Sequence, residues 1–371
     1  MTPRTVWHLT DADTMGGAER QVEVLLRLTD RTRWQPVLVH TGAPGIAPLA
    51  EQARACGVQT RVMPPGTTVR HGAGCALRTA RLIRSAAPDL LHAHLSYPLA
   101  MRWQIVGAHL AGRVPMVATV HSGAIVPPNA AVRWQQRRCG PKVARYLPVS
   151  GVVRDACVQT LGWPAAHMTV VHNGIEPDRT AGGDAARGRR ALGVADGPVV
   201  LMLARLERDK GVEVLVDAAA AVPGAVFVIA GEGPERDALA ARAAALGCAD
   251  RVVLPGWVQA LPDALAAASV VALPSFGEGL PISLLEAMSA GVPVVGSAIP
   301  GIAELVQDGR SGLLTPAGDS GALAAAIRRV LEEPGLAATL TAAARDRVLS
   351  SFSAAGMTEQ VMAIYDEVLA P

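Results

Sequence analysis

Aromatic side chains are scarce in this 371-residue chain, 3% in all, although half of the residues are apolar. Its core must therefore be built from alanine, valine and leucine with glycine at close contacts, a composition that suits parallel sheets flanked by small-residue helices and points to the α/β class. Cysteine is sparse as well. Cys56, Cys75, Cys139, Cys157 and Cys248 are scattered with no CxxC pair, which argues against a zinc site and a disulfide framework and is read as reduced thiols in a cytoplasmic protein. An excess of one charge sign is also missing. The formal net charge is +2 and the pI about 8.4, so neither nucleic acid nor an anionic membrane is demanded, while a local basic patch stays open. Apolar runs are broken by charges before about 18 residues, and the start MTPRTVWHLTDADT turns polar too soon for a signal peptide. The positive mean hydropathy of +0.28 then reflects buried strands.

A chain of this length fits two domains of roughly 100 to 200 residues. The stretch most dense in chemistry is SFGEGLPISLLEAMSAGVPVVG, Ser275 to Gly296. It holds a loop with Gly277 and Gly279, Pro281 at the first turn of a helix, and two carboxylates eight positions apart, Glu278 in the loop and Glu286 inside the helix. A strand followed by a glycine loop and a helix N-terminus binds anions, because free N–H groups and the helix dipole both face the loop. Phosphate held by backbone and a hydroxylated group held by carboxylates is the chemistry this pattern suggests.

In the first half, apolar strand signals recur at Thr5–Leu9, Pro36–His40, Val58–Met63, Leu90–His94, Val114–Val120 and Ala144–Val149, with helical segments between them. The alternation predicts a doubly wound parallel sheet, whose ligands bind beyond the carboxyl ends of the strands. Gly16 and Gly17 stand at such an end, serving either close approach of a ligand or only a tight turn. No GxGxxG accompanies them, so a dinucleotide fingerprint is not supported. Three histidines also close strands. For His92 and His94 a hydrogen-bonded structural role is the plainer reading, whereas His121, followed by Ser122-Gly123, is placed to face a ligand. Arg133, Arg137, Arg138, Lys142 and Arg145 group around Trp134, either as a solvated helix face or as a rim for a phosphorylated or lipid-linked acceptor at an anionic membrane.

MTVVHNGIEP reads as a further strand and RTAGGDAARGRR as a glycine-rich linker, which puts the domain boundary within residues 173–184. A second series of strands follows at Val199–Ala204, Ala225–Ala230, Val252–Leu254, Val270–Leu273 and Val292–Val295. Arg205 and Lys210 lie between its first strand and a helix starting near Lys210; two cations there oppose the dipole unless an anion neutralises them. Gly231-Glu232-Gly233-Pro234 and Leu254–Gln259 close the next strands as close-approach loops. The division expected is residues 1–175, residues 176–352 and a final helical segment, 353–371, returning to the first domain.

In this order GGAER, HAH, TVHSG, VHNGIEP, ARLERDKG, AGEGP, FGEGLPISLLEAMSAGVPVV, PGIAEL and GRSGLLTP cover nearly the whole chain, and with them it resembles the family 4 retaining glycosyltransferases of the GT-B fold. The resemblance implies two Rossmann-like domains facing across a cleft, the first binding the acceptor and the second a nucleoside-diphosphate sugar, taken to be a UDP-sugar. It implies that Glu278 contacts hydroxyls of the donor sugar and Glu286 the ribose, that Arg205 and Lys210 neutralise the diphosphate, and that His121 lies beside the donor sugar. It further implies backbone contacts at Gly279, Leu280, Pro281, Ile282 and Ser283 and at Gly16 and Gly17, with the base against Gly231, Gly233, Trp257 and Val258. No metal or other cofactor is expected. The partners implied are the donor and a hydroxylated acceptor, which can be lipid-linked, with no nucleic acid; Arg133, Arg137, Arg138 and Lys142 would make any peripheral contact with the inner membrane face. Ala204 stands where the family often has glycine, and Ser122 where many members have an acid after the histidine, which leaves the donor sugar open. The other readings are a nucleotide-sugar epimerase of the same fold and a non-catalytic nucleotide-sugar-binding protein.

Overall fold

The computed structural model describes residues 2–63, 69–112, 114–123 and 143–370. The expected basic rim at Arg133, Arg137, Arg138 and Lys142 lies outside these residues. By its contacts the chain forms two compact units, residues 1–174 with 354–371, and residues 175–353.

The first unit alternates strand and helix: β1 (Arg4–Thr10), α1 (Gly17–Leu28), β2 (Trp34–His40), α2 (Ala47–Ala55), β3 (Gln59–Val62), α3 (Val69–Ala86), β4 (Leu90–Leu95), α4 (Arg102–Ala111), β5 (Met116–Val120), β6 (Arg145–Pro148) and α5 (Gly151–Leu161). The strands form one parallel sheet in the order β3-β2-β1-β4-β5-β6. All of β4 and β5 and most of β1 are buried, as helices on both faces require. The chain turns back between β3 and β4, so β1 and β4 lie side by side at the topological switch point, where open α/β sheets bind ligands.

The second unit runs α6 (Ala185–Leu192), β7 (Val199–Leu203), α7 (Val212–Ala220), β8 (Val226–Ala230), α8 (Arg236–Ala245), β9 (Val252–Gly256), α9 (Leu261–Ala267), β10 (Val270–Leu273), α10 (Ile282–Ala290), β11 (Val294–Ser297), α11 (Pro300–Ala303), β12 (Leu313–Thr315), α12 (Ser320–Glu332) and α13 (Leu336–Ser351). Its sheet order, β9-β8-β7-β10-β11-β12, repeats that of the first unit, with the switch point between β7 and β10. One architecture is used twice. The last helix, α14 (Ala354–Leu369), returns to the first unit, where Met357, Val361, Ile364 and Tyr365 share a core with Val6, Leu25, Trp34, Leu90 and Leu147. Arg33 and Arg145 of that unit form ion pairs with Asp366 and Glu367 at its end.

Two local expectations are corrected. The stretch MTVVHNGIEP is extended but forms no strand of the sheet: Thr169 and Val171 donate to the carbonyls of Tyr146 and Pro148 at 3.0 Å, and the ladder stops because Pro148 has no N–H to return. The supposed linker is packed structure. Asp184 caps α6 by accepting from the Arg187 N–H, the Arg187 guanidinium makes two 2.9 Å bonds to Asp263, and a Cβ at Gly188 would lie 1.9 Å from the Asp263 carbonyl oxygen. Gly183 and Gly188 serve close contact with the start of α9, at Pro262 and Asp263.

Candidate functional site

At the switch point of the second unit, the segment after β7 is fastened to the segment after β10. Arg208–Lys210 forms a single 3₁₀ turn and Gly211 takes a left-handed conformation, φ 65°. A Cβ there would lie 2.0 Å from the Pro274 carbonyl oxygen, so only glycine admits this approach. The Phe276 N–H donates to the Asp209 carbonyl at 2.8 Å. These contacts bring Lys210 Nζ to 3.0 Å from Glu278 Oε1 and 3.6 Å from an Asp209 carboxylate oxygen. Lys210 and Glu278 expose 16% and 13% of their side chains, which shields the pair from solvent screening. Ser275, fully buried, donates its hydroxyl to the same Glu278 oxygen at 2.8 Å.

The cation pair inferred from sequence is thus split in this structure. Lys210 is neutralised by the chain's own carboxylates, while Arg205 leaves β7 with an exposed side chain paired to Glu207. Two cations near a helix start do not by themselves call for an external anion here, since three acids follow within the same loops. Ser275 and Asp209 were not singled out from sequence. A serine three residues before a glutamate in the same loop was the available signal for Ser275.

The loop carrying Glu278 is held from beneath. A Cβ at Gly301, in the first turn of α11, would lie 2.1 Å from the Glu278 carbonyl oxygen, which gives the PGIAEL motif its role. Gly277 meets nothing within 4 Å and is exposed, so it makes no close approach of its own to the protein. Gly279, Leu280 and Pro281 are buried, Ile282 and Ser283 half-buried, and α10 begins after Pro281 with no side chain capping it. Its first-turn N–H groups therefore retain the anion preference of a helix N-terminus. Glu286, 6% exposed, sits in the second turn of the same helix.

The two glycines of AGEGP admit close approach within the chain. A Cβ at Gly231 would lie 1.9 Å from the Ala204 carbonyl oxygen, and one at Gly233 would lie 2.4 Å from that of Leu206. Their close approach is to the backbone that leads to Lys210, and the Leu206 N–H donates to the Glu232 carbonyl at 2.9 Å. Trp257, 55% exposed, follows β9 together with half-buried Val258.

The corresponding edge of the first unit is organised by burial. The Glu19 carboxylate accepts from the backbone at Gly16 and at its own N–H, a self-cap for α1, and a Cβ at Gly16 would meet its Oε2 at 3.0 Å. Part of the anion-binding capacity expected of Gly16 and Gly17 is therefore occupied by the chain itself. Asp11, missed as a structural tie, accepts from the Met101 N–H at 3.2 Å across the β1–β4 switch point. Burial raises the pKa of Asp11 and of Glu19, and the backbone bonds oppose that shift.

Behind this edge His8, His92, His94 and His121 form a stack. His8 and His94 share a 3.1 Å hydrogen bond, His92 Nδ1 lies 2.5 Å from the Tyr365 hydroxyl and His92 Nε2 2.7 Å from Thr119 Oγ1. His94 and His121 stack with ring centroids 5.8 Å apart. Burial lowers all four, His8 to about 3 and His121 to about 4, so they are neutral at physiological pH. Ring nitrogens of His8, His92 and His94 lie within 4.8 Å of one another, but both nitrogens of His92 are already engaged. The cluster is a hydrogen-bonded core, as read for His92 and His94. His121 differs: both of its ring nitrogens are buried without a protein partner among the described residues.

The two units match two family models in turn, "Glycosyltransferase Family 4" over residues 15–179 and "Glycosyl transferases group 1" over residues 187–347. The chain is 28% identical to the alpha-D-kanosaminyltransferase of Streptomyces kanamyceticus, over 79% of this chain and 81% of that one. It is 34% identical to the glycogen synthase of Mycobacterium tuberculosis, over 76% of this chain and 69% of that one. Among solved structures, HepE of Anabaena in complex with UDP-glucose superposes with a TM-score of 0.84 at 24% identity, covering 98% of this chain and 99% of that one. With these matches over two parallel doubly wound sheets, the chain belongs to the family 4 glycosyltransferases of the GT-B fold.

Proposed function

We propose that this glycosyltransferase moves a sugar from a UDP-sugar to a hydroxylated acceptor with retention of anomeric configuration. The observation that carries the reading is the shielded Lys210–Glu278 pair and the uncapped start of α10, which supply a cation, a carboxylate also held by Ser275 and a row of backbone donors. A diphosphate arriving there competes with Glu278 for Lys210, and the α10 N–H groups add a second contact. Arg205 exchanges its exposed Glu207 partner for phosphate oxygens at low cost. Glu286 accepts both hydroxyls of the ribose, and the exposed Trp257 ring covers the base.

In the reaction the bond from the anomeric carbon to the diphosphate oxygen breaks while the acceptor oxygen bonds to the same face of that carbon. The acceptor proton passes to the departing phosphate oxygen. Charge on the diphosphate grows through this step, so its contacts with Lys210 and Arg205 strengthen in the transition state. These cations take the charge-neutralising role a divalent ion would otherwise have. Glu278 is tied by Lys210 and Ser275 on one oxygen, which suits it to hold a sugar hydroxyl and weakens it as a covalent nucleophile. The neutral, partnerless ring of His121 supports a hydrogen-bonding role toward the sugar.

The test is nucleotide release from a panel of UDP-, GDP- and ADP-sugars, with candidate alcohols and with or without a chelator, followed by the anomeric coupling constant of the product. Release from a UDP-sugar, unaffected by chelator and giving the donor's anomeric configuration, is expected. An inverted product or dependence on a divalent ion would overturn the mechanism.

A further inference from the structure

Charge is divided unevenly along this chain. Residues 52–154 contain fourteen lysines and arginines against a single acid, Asp89, so a net +2 for the whole protein conceals an acidic remainder. In the described part of this segment, the excess is concentrated on α3 and α4, which contain no Asp or Glu. Arg78, Arg81 and Arg84 recur at three-residue intervals along α3, each exposed, so they follow one side of the helix. Among the described residues none of the three has a carboxylate partner. Arg84 instead donates to the carbonyls of Leu110 and Ala111 at the end of α4.

Two large aliphatic side chains stand on the same surface. Leu77 precedes Arg78 and is 53% exposed; Leu110, beside Arg84, is 45% exposed. The helices lie close: a Cβ at Gly107 of α4 would sit 2.6 Å from the Ala76 carbonyl oxygen of α3, so the two present one continuous surface. It lies on the face of the sheet opposite α1 and the C-terminal helix, because right-handed crossovers put the helices that join β1 to β2 and β2 to β3 on one face and those that join β3 to β4 and β4 to β5 on the other.

We propose that the α3–α4 face docks this enzyme on an anionic lipid bilayer. Arginines accept lipid phosphates, and Leu77 and Leu110 enter the boundary of the acyl region, a combination that nucleic acid would not use because exposed leucines gain nothing from a phosphate backbone. Docking here is independent of the donor chemistry.

Co-sedimentation of the full chain with phosphatidylglycerol vesicles, compared with phosphatidylcholine vesicles and a DNA duplex, tests this. Binding to phosphatidylglycerol alone that weakens with salt is expected. The double variants Arg78→Glu/Arg81→Glu and Leu77→Ser/Leu110→Ser should each lose at least about tenfold in partitioning, while Arg190→Glu/Arg328→Glu on the second unit, with the same change in net charge as the first, should lose much less. Nucleotide release and thermal midpoint should be unchanged in all three. Equal partitioning of the α3 charge variant and the parent, insensitivity to loss of the two leucines, or duplex binding as tight as vesicle binding would each overturn the proposal.

Discussion

The two switch points of this protein occupy equivalent places in two copies of one sheet and solve the same problem by opposite means. Each must fasten the loop after its first strand to the loop after its fourth. In the second unit the tie is ionic, Lys210 to Glu278 at 3.0 Å. In the first unit the tie is the Asp11 carboxylate accepting from the Met101 N–H, backed by imidazoles that burial keeps neutral. Under the proposed function a departing diphosphate would need charge that can be redirected, whereas an edge that met a neutral sugar or alcohol would need fixed hydrogen-bonding groups. Shared topology therefore fixes where a site lies, and side-chain burial fixes what the site can bind.

The largest effect expected from this contrast is on acid stability. Imidazoles depressed in the folded chain are neutral there and charged once unfolded, so their contribution is complete above pH ~6.5 and is lost as the pH falls toward about 4 for His121 and about 3 for His8, at roughly 1.4 kcal/mol per pH unit for each. Asp11 and Glu19, raised by burial, act in the opposite sense, losing stability as the pH rises through their folded values. Denaturant midpoints at pH 7, 6 and 5 should fall steeply, and the His94→Gln variant should flatten that slope. A flat profile for the parent would mean the stack is charged or solvated, and the contrast between the units would fail.

Next in size is Lys210→Ala. Loss of a charge that strengthens as the diphosphate departs should lower kcat on the order of 100-fold with a smaller change in KM. An unchanged kcat in a folded variant would remove Lys210 from the phosphate. Glu286→Ala should act on binding, raising the dissociation constant for the donor about tenfold, as measured by calorimetry with UDP. Smallest is Ser275→Ala, where one hydrogen bond to Glu278 is lost; a two- to tenfold drop in kcat/KM, with thermal midpoint little changed, would show how far Lys210 alone can orient that carboxylate.

Much of this was legible in the chain. The alternation of strands and helices gave both sheets, because buried parallel strands read as apolar runs whatever their partners. Glu278, Glu286 and Lys210 stood out because carboxylates and cations beside glycine loops at strand ends have few structural uses. Ser275 did not, although its partner Glu278 is three residues on in the same loop, and Asp209 did not because its carbonyl accepts from Phe276 in a loop distant along the chain. At Gly231 and Gly233 the chain's own backbone makes a close approach, which the sequence marks without saying to what.

By itself the sequence determined the class, the doubled architecture and the family, all of which rest on local periodicity and short motifs. Only the tertiary structure decided that Lys210 pairs with Glu278 while Arg205 does not, that Tyr365 of the last helix holds His92, and that GGDAARG is a packed, capped helix start in place of a linker. Such pairings depend on how parallel strands bring distant loops to one edge, and that register is set by the packing of the whole sheet.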